Sequence, residues 1–131
     1  MQTDPEKEEI LGTETILIVE DEPLIRSLVA QVLSDHGYKV TVVSNGSEAL
    51  ALSEEQILGI DILVTDIVMP VVNGVDVSNR LRTTNPNLKT LFISGYNAEI
   101  ADLGRLRDGE AFLQKPFTQH ELCATLRRFF R

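Results

Sequence analysis

Apolar positions along the chain alternate between short unbroken runs and helical spacings. Ile16 to Val19 is a run of strand length that stops at Glu20-Asp21-Glu22. Pro23 follows, where a first helical turn tolerates it. Leu24, Ile25, Leu28, Val29, Val32 and Leu33 then recur at helical spacing, and Gly37 is the stop. Tyr38 to Val43 alternates as a strand. Asn45 with Glu48 makes a capping-box pattern and predicts one helix through about Ile57, broken at Gly59. Ile62 to Val64 reads as a buried strand that ends on Asp66, and Asn73-Gly74 beyond it is a turn signal. Val75 to Thr84 is the next helix, with Val77 and Leu81 on one face and Pro86 as its end. Leu88 to Ser94 is a strand, and Asn97 caps a helix whose inner face is Ile100, Leu103 and Leu106. Ala111-Phe112-Leu113 is a short last strand running into Lys115-Pro116. Thr118 and Glu121 form a second capping box, and the closing helix buries Leu122, Leu126 and Phe129 with Cys123 and Phe130 beside them.

Strands and helices thus alternate five times, which predicts an α/β fold: a doubly wound, five-stranded parallel sheet with helices on both faces. Residues 1–14 read as an acidic tail or linker and residues 15–131 as one domain, with no output domain after the last helix. Length and an apolar share of 43% fit one globular core. The net charge of −8 argues against nucleic acid as a direct partner. Arg127, Arg128 and Arg131 read as a solvated basic end. Charges interrupt every apolar stretch before membrane-spanning length, so no membrane contact is expected. One cysteine, Cys123, excludes an internal disulfide framework and points to a reducing, cytoplasmic setting.

The polar residues at the strand ends carry the chemistry. In a parallel sheet all carboxyl ends lie on one edge, so Glu20, Asp21, Asp66, Ser94 and Lys115 can converge there. The bland reading of Asp66 is a strand-end Asx-turn. The other carboxylates argue otherwise, because several brought together repel unless a cation sits among them. Hard oxygen ligands with room for water suit Mg²⁺. A lysine and a hydroxyl beside that cation make an oxyanion site suited to phosphoryl transfer. Asp66 is then the natural nucleophile, able to take a phosphoryl group as an acyl phosphate.

These residues resemble the receiver domain of two-component response regulators. The resemblance runs from Thr15 to Arg131. It rests on Val-Glu-Asp-Glu-Pro (19–23), Thr-Asp-Ile-Val-Met-Pro…Asn-Gly (65–74), Ile-Ser-Gly-Tyr (93–96) and Phe-Leu-Gln-Lys-Pro-Phe (112–117). It implies a flavodoxin-like (βα)5 domain with strand order 2-1-3-4-5, and phosphorylation of Asp66 by a phosphohistidine of a histidine kinase or histidine phosphotransfer protein. By position Glu20, Asp21, Asp66 and the backbone carbonyl of Val68 would hold Mg²⁺, while Ser94 and Lys115 would contact the phosphoryl group. Phe112 matches the aromatic switch position that moves with Ser94, with phenylalanine where tyrosine is more frequent. Val68 places an apolar side chain beside the site, at a position that tunes water access in the family. The resemblance also implies a cis Lys115–Pro116 peptide. An interaction face is expected on the last two helices and the strand between them, bordered by Ser94 and Phe112 and with Arg105, Arg107, Arg127 and Arg128 on its helices, a homodimer through those helices being an option. The phrases around residues 12–22 and 112–117 look most like carboxyl-terminal receivers of hybrid sensor histidine kinases, the tail being a linker remnant. Self-phosphorylation and self-dephosphorylation are the only catalysis expected of such a domain.

The alternatives fit less well. His120-Glu121-Leu122 looks like a kinase phospho-acceptor box, but it lies in the first turn of the last helix without four-helix context. His36 is a helix-end residue favoured by the dipole, and Cys123 a small core residue with no base near it in sequence. A Mg²⁺-dependent haloacid-dehalogenase-type phosphatase uses a strand-end aspartate too, but wants a second Asp where Val68 stands. A flavodoxin-like binding module wants a phosphate loop after the first strand, where Glu20-Asp21-Glu22 would repel the ligand.

Overall fold

Strand β1 (Thr15–Val19) sends its side chains alternately into two cores. Ile16 and Ile18 join one apolar cluster, Leu17 and Val19 the other. A strand buried on both faces favours apolar side chains throughout, and Ile16 to Val19 is accordingly unbroken. The computed structural model of the chain describes residues 11–95 and 106–130. After β1 come α1 (Pro23–Asp35), β2 (Lys39–Val43), α2 (Gly46–Leu50), α3 (Glu54–Leu58) and β3 (Ile62–Asp66). Then follow α4 (Gly74–Thr84), β4 (Lys89–Ser94), β5 (Glu110–Gln114), α5 (Gln119–Arg127) and a 3-10 turn, Arg128–Phe130.

All four strand pairings are parallel, and the order is β2-β1-β3-β4-β5, as expected. One core lies beneath α1 and α5, built from Val29, Val32, Leu33, Leu122, Cys123 and Leu126 against Ile62, Val64 and Leu91. The other lies beneath α2, α3 and α4, where Ala49, Ile57, Val77 and Leu81 meet Leu63 and Leu88. Each fully buried leucine or isoleucine in these layers contributes about 1.5–3 kcal/mol. The pairings Val19↔Thr65, Asp66↔Ile93 and Ser94↔Gln114 bring the carboxyl ends of β1, β3, β4 and β5 to one edge.

Several elements depart from the sequence reading. The single helix expected from Asn45 to Ile57 is two short helices, because Ser53 caps a new start with Gln56 in a full capping box. Asn45 accepts from the Glu48 N–H, but the Glu48 carboxylate reaches the N–H of Ser44 rather than that of Asn45. Asn73-Gly74 is not the turn: Asn73 caps α4 by accepting from Asp76, and Gly74 is already helical. The turn lies earlier, where the Val72 N–H donates to Pro70 at 2.8 Å across Val71, whose φ is 71°. That conformation is strained for a β-branched residue. Leu106, expected on an inner helical face, is exposed and not helical. Asn97, Ile100, Leu103 and Arg105 lie outside the described residues. Tyr38 sits in the core rather than in β2, and Phe129 is half-buried against it. The expected tail is described from Leu11 onward, and there the Gly12 N–H donates to His36 while the Glu14 carbonyl accepts from the Lys39 N–H, each at 3.0 Å.

Candidate functional site

The first residue past β1 is Glu20, and its position just beyond the sheet leaves it 4% exposed. Two contacts fix it there. The Glu22 N–H donates to its carboxylate at 3.1 Å, and the Arg26 guanidinium reaches back from α1 to its carbonyl at 2.9 Å. Asp21 is exposed beside it, and the last residue of β3, Asp66, is half-buried. Carboxylate oxygens of Glu20, Asp21 and Asp66 all lie within 4.8 Å of one another.

Lys115 enters from the end of β5. Its N–H donates to the Ser94 carbonyl at 2.8 Å, prolonging the β4–β5 pairing, and the peptide to Pro116 is cis, as expected. Its Nζ stands 3.5 Å from Asp66 Oδ2 and 3.6 Å from Glu20 Oε2. One lysine does not offset the crowding. Desolvation, and then the Asp66 charge, push the Glu20 carboxyl up to about 7, against the Glu22 N–H and Lys115. Desolvation likewise raises Asp66, with Lys115 opposing. A donor set made only of oxygens, desolvated and short of positive charge, fits a small hard dication.

Ser94 ends β4 one rung beyond the Asp66↔Ile93 pair and is fully buried. Phe112 is half-buried in β5 opposite Phe92. The Val68 side chain is 58% exposed at the rim. A recess of about 400 Å³ opens beside Asp21, lined also by Ser44, Asn45, Ser47, Pro70 and Val71. The sheet edge therefore gathers Glu20, Asp21, Asp66 and Lys115 in direct reach, with Ser94 on the adjoining strand end. Sequence reading missed Arg26 and Thr65, whose hydroxyl donates to the Asp66 carbonyl at 2.9 Å. The hydroxyl in an otherwise apolar strand was the available signal. Of the residues set aside earlier, His120 is exposed in the first turn of α5, and burial pushes the Cys123 thiol up to about 11. His36 caps α1, its Nδ1 2.7 Å from the Val32 carbonyl.

The response regulator receiver domain matches residues 16–127, and the chain belongs to that family of two-component signalling domains. Among curated proteins it is 36% identical over 120 residues to the sensor kinase CckA of Brucella abortus (strain 2308), covering 91% of this chain and 13% of that protein. It is 33% identical over 118 residues to the probable transcriptional regulatory protein TcrX of Mycobacterium tuberculosis (strain ATCC 25618 / H37Rv), covering 89% of this chain and 50% of the other. The chain thus spans half or less of the length of these two relatives. Among solved structures, the receiver domain of the hybrid histidine kinase CckA superposes with a TM-score of 0.75 at 32% identity, covering 89% of this chain and 99% of that one. The response regulator TrrA of Thermotoga maritima, solved with Mg²⁺ and BeF, gives 0.76 at 28% identity, covering 88% and 98%. Among the described residues, no helix is long and apolar enough to cross a membrane.

Proposed function

We propose that Asp66 is the phosphoacceptor of this receiver domain, taking a phosphoryl group from a phosphohistidine of a histidine kinase or histidine phosphotransfer protein. The observation that carries this reading is the Lys115 ammonium at 3.5 Å from Asp66, inside a carboxylate trio that spans 4.8 Å. A carboxylate oxygen of Asp66 forms a bond to phosphorus as the N–P bond of the donor breaks. The electron pair goes to the imidazole nitrogen, which takes up a proton from solvent. Lys115 is placed to balance charge on the phosphoryl oxygens in a loose transition state, with the Ser94 hydroxyl as a further donor. Glu20, Asp21, Asp66 and the Val68 carbonyl would hold Mg²⁺, which when bound supplies the remaining charge neutralisation. Arg26 and the Glu22 N–H keep Glu20 at its post. The phosphatase alternative gains nothing, since no acid stands at Val68.

The reading extends to a switch in which Ser94 and Phe112 register the phosphoryl group and bias partner binding. Of the four arginines expected on that partner face, Arg105 lies outside the described residues. Arg107 bonds Asn79 and Glu110 but stays exposed, while Arg127 pairs with Glu14 and is largely shielded. Arg128 is exposed. Similarity to the CckA receiver supports a hybrid kinase as the parent protein, and the single cysteine supports a cytoplasmic setting.

Intact-mass spectrometry after incubation with acetyl phosphate and Mg²⁺ tests the proposal. One phosphoryl group is expected on the wild type, none on Asp66→Asn, and none in EDTA. Undiminished labelling of Asp66→Asn would overturn it.

A further inference from the structure

Thr65 follows the apolar run Ile62, Leu63 and Val64 in β3, and although polar it is fully buried. A valine would fill the same space, so packing alone does not call for a hydroxyl. The hydroxyl has one specific job in view: Oγ1 donates to the carbonyl of Asp66 at 2.9 Å. Gly74 closes on the same carbonyl from the start of α4. A Cβ on Gly74 would stand 2.1 Å from the Asp66 oxygen and 3.0 Å from Thr65 Oγ1, so no side chain fits there. The N–H side of that same peptide is tied to the sheet, the Ile67 N–H donating to the Ile93 carbonyl at 3.1 Å, and the next peptide is held by the Gly74 N–H, which donates to the Ile67 carbonyl at 2.8 Å.

We infer that Thr65 is a positioning residue for the phosphoryl-transfer site, its hydroxyl and Gly74 holding the carbonyl side of the peptide between Asp66 and Ile67 while Ile93 holds its N–H side. Side chains alternate along a strand, so Thr65 works from the face opposite the Asp66 carboxylate and never meets the phosphoryl group. Rotation of that peptide would swing the Asp66 carboxylate and, two residues on, the Val68 carbonyl. In-line attack is sensitive to misplacement on the ångström scale. The inference rests on Asp66 being the nucleophile, and that reading has its own control in Asp66→Asn.

The test compares Thr65→Val, Thr65→Ser and Gly74→Ala by rate of acetyl phosphate labelling at saturating Mg²⁺, with peptide mapping of the label and urea unfolding of each variant. Thr65→Val keeps the shape and loses the donor, and its expected labelling rate is roughly tenfold lower, still on Asp66. Thr65→Ser restores the donor and brings the rate back to within about threefold. Gly74→Ala pushes the same carbonyl from the other side and also slows labelling, an arm that stands even if Thr65→Val folds poorly. Wild-type labelling by folded Thr65→Val, or a serine variant as slow as the valine variant, overturns the inference. So does wild-type labelling by Gly74→Ala. Label that survives in Asp66→Asn would instead overturn the assignment of the nucleophile.

Discussion

Glu14 and Arg127 stand 113 positions apart in the chain and meet in an ion pair at 2.6 Å. Arg127 also donates to the Tyr38 hydroxyl at 3.4 Å and lies over the Phe130 ring, 4.9 Å from its centroid. The pair is about four-fifths shielded on both sides, with side-chain exposures of 20% and 19%. It ties the segment before β1, the core tyrosine and the last helix together. Arg127→Ala is therefore expected to cost about 1–3 kcal/mol, as ion pair, hydrogen bond and ring contact go together. Glu14→Gln should cost roughly 1 kcal/mol or less. Urea unfolding of both single variants and the double variant checks this, and strictly additive losses would count against a coupled pair.

The same cluster sets a pH dependence at both extremes. Desolvation works against ionisation of Glu14, but backbone hydrogen bonds and Arg127 outweigh it and hold its carboxyl below the ordinary 4.5. Its contribution is thus present above about pH 4.5 and lost as the pH falls through the lower folded value. Burial raises Tyr38 above its ordinary 10.0, with Arg127 opposing. That contribution is present below pH 10 and lost as the pH rises through the higher folded value. The stability gap between wild type and Glu14→Gln should therefore narrow in acid, and Tyr38→Phe should flatten the alkaline fall. Unfolding midpoints from pH 3 to 11, on the order of one pH unit apart, would show both.

Much of this was legible in the sequence, for reasons that differ by element. Ile16 to Val19 and Ile62 to Val64 declare themselves because a two-sided core favours apolar residues on both faces. Glu20, Asp21, Asp66 and Lys115 are legible because parallel topology places strand ends on one edge. Long-range partners were not. Nothing local in Arg82 or Glu110 shows that this guanidinium, 28 positions earlier, reaches that carboxylate at 3.3 Å. The break between α2 and α3 was written in Ser53 and Gln56, but the stronger-looking Asn45–Glu48 pattern drew the helix across it. Phe112 illustrates a limit of another kind, since an aromatic in a strand next to Phe92 packs the same way whatever its switching role.

The far end of α3 is held from outside by Asn85. Its buried side-chain amide donates to the carbonyls of Ile57 and Ile60, at 3.1 and 2.8 Å, closing the end of α3. Asn85→Ala leaves two buried carbonyls without that donor, and a loss of roughly 2–4 kcal/mol is expected. Ser53→Ala removes an exposed cap and should cost about 1 kcal/mol. Chemical denaturation of the two variants separates the effects. Equal losses would mean that the exposed cap at the start of α3 matters as much as the buried amide at its end.

Lys115 has two neighbours and so two predicted consequences. It lies 3.5 Å from Asp66 and 3.6 Å from Glu20, both of which burial makes harder to ionise. Lys115→Ala takes away the one cation within ion-pair distance of both carboxylates among the described residues. A dication among Glu20, Asp21 and Asp66 then meets less positive charge, so Mg²⁺ affinity should be kept or rise. Transfer should suffer, because the ammonium that balances charge on the phosphoryl oxygens is gone, and labelling by acetyl phosphate should slow roughly a hundredfold. Asp21→Ala should do the opposite: it removes a carboxylate from the trio, so more Mg²⁺ is needed for half-maximal labelling, while saturating Mg²⁺ recovers much of the rate. Labelling rates titrated against Mg²⁺ separate the two variants, since one lowers the plateau and the other moves the midpoint. A Lys115→Ala variant with a wild-type plateau would remove this residue from the transfer step.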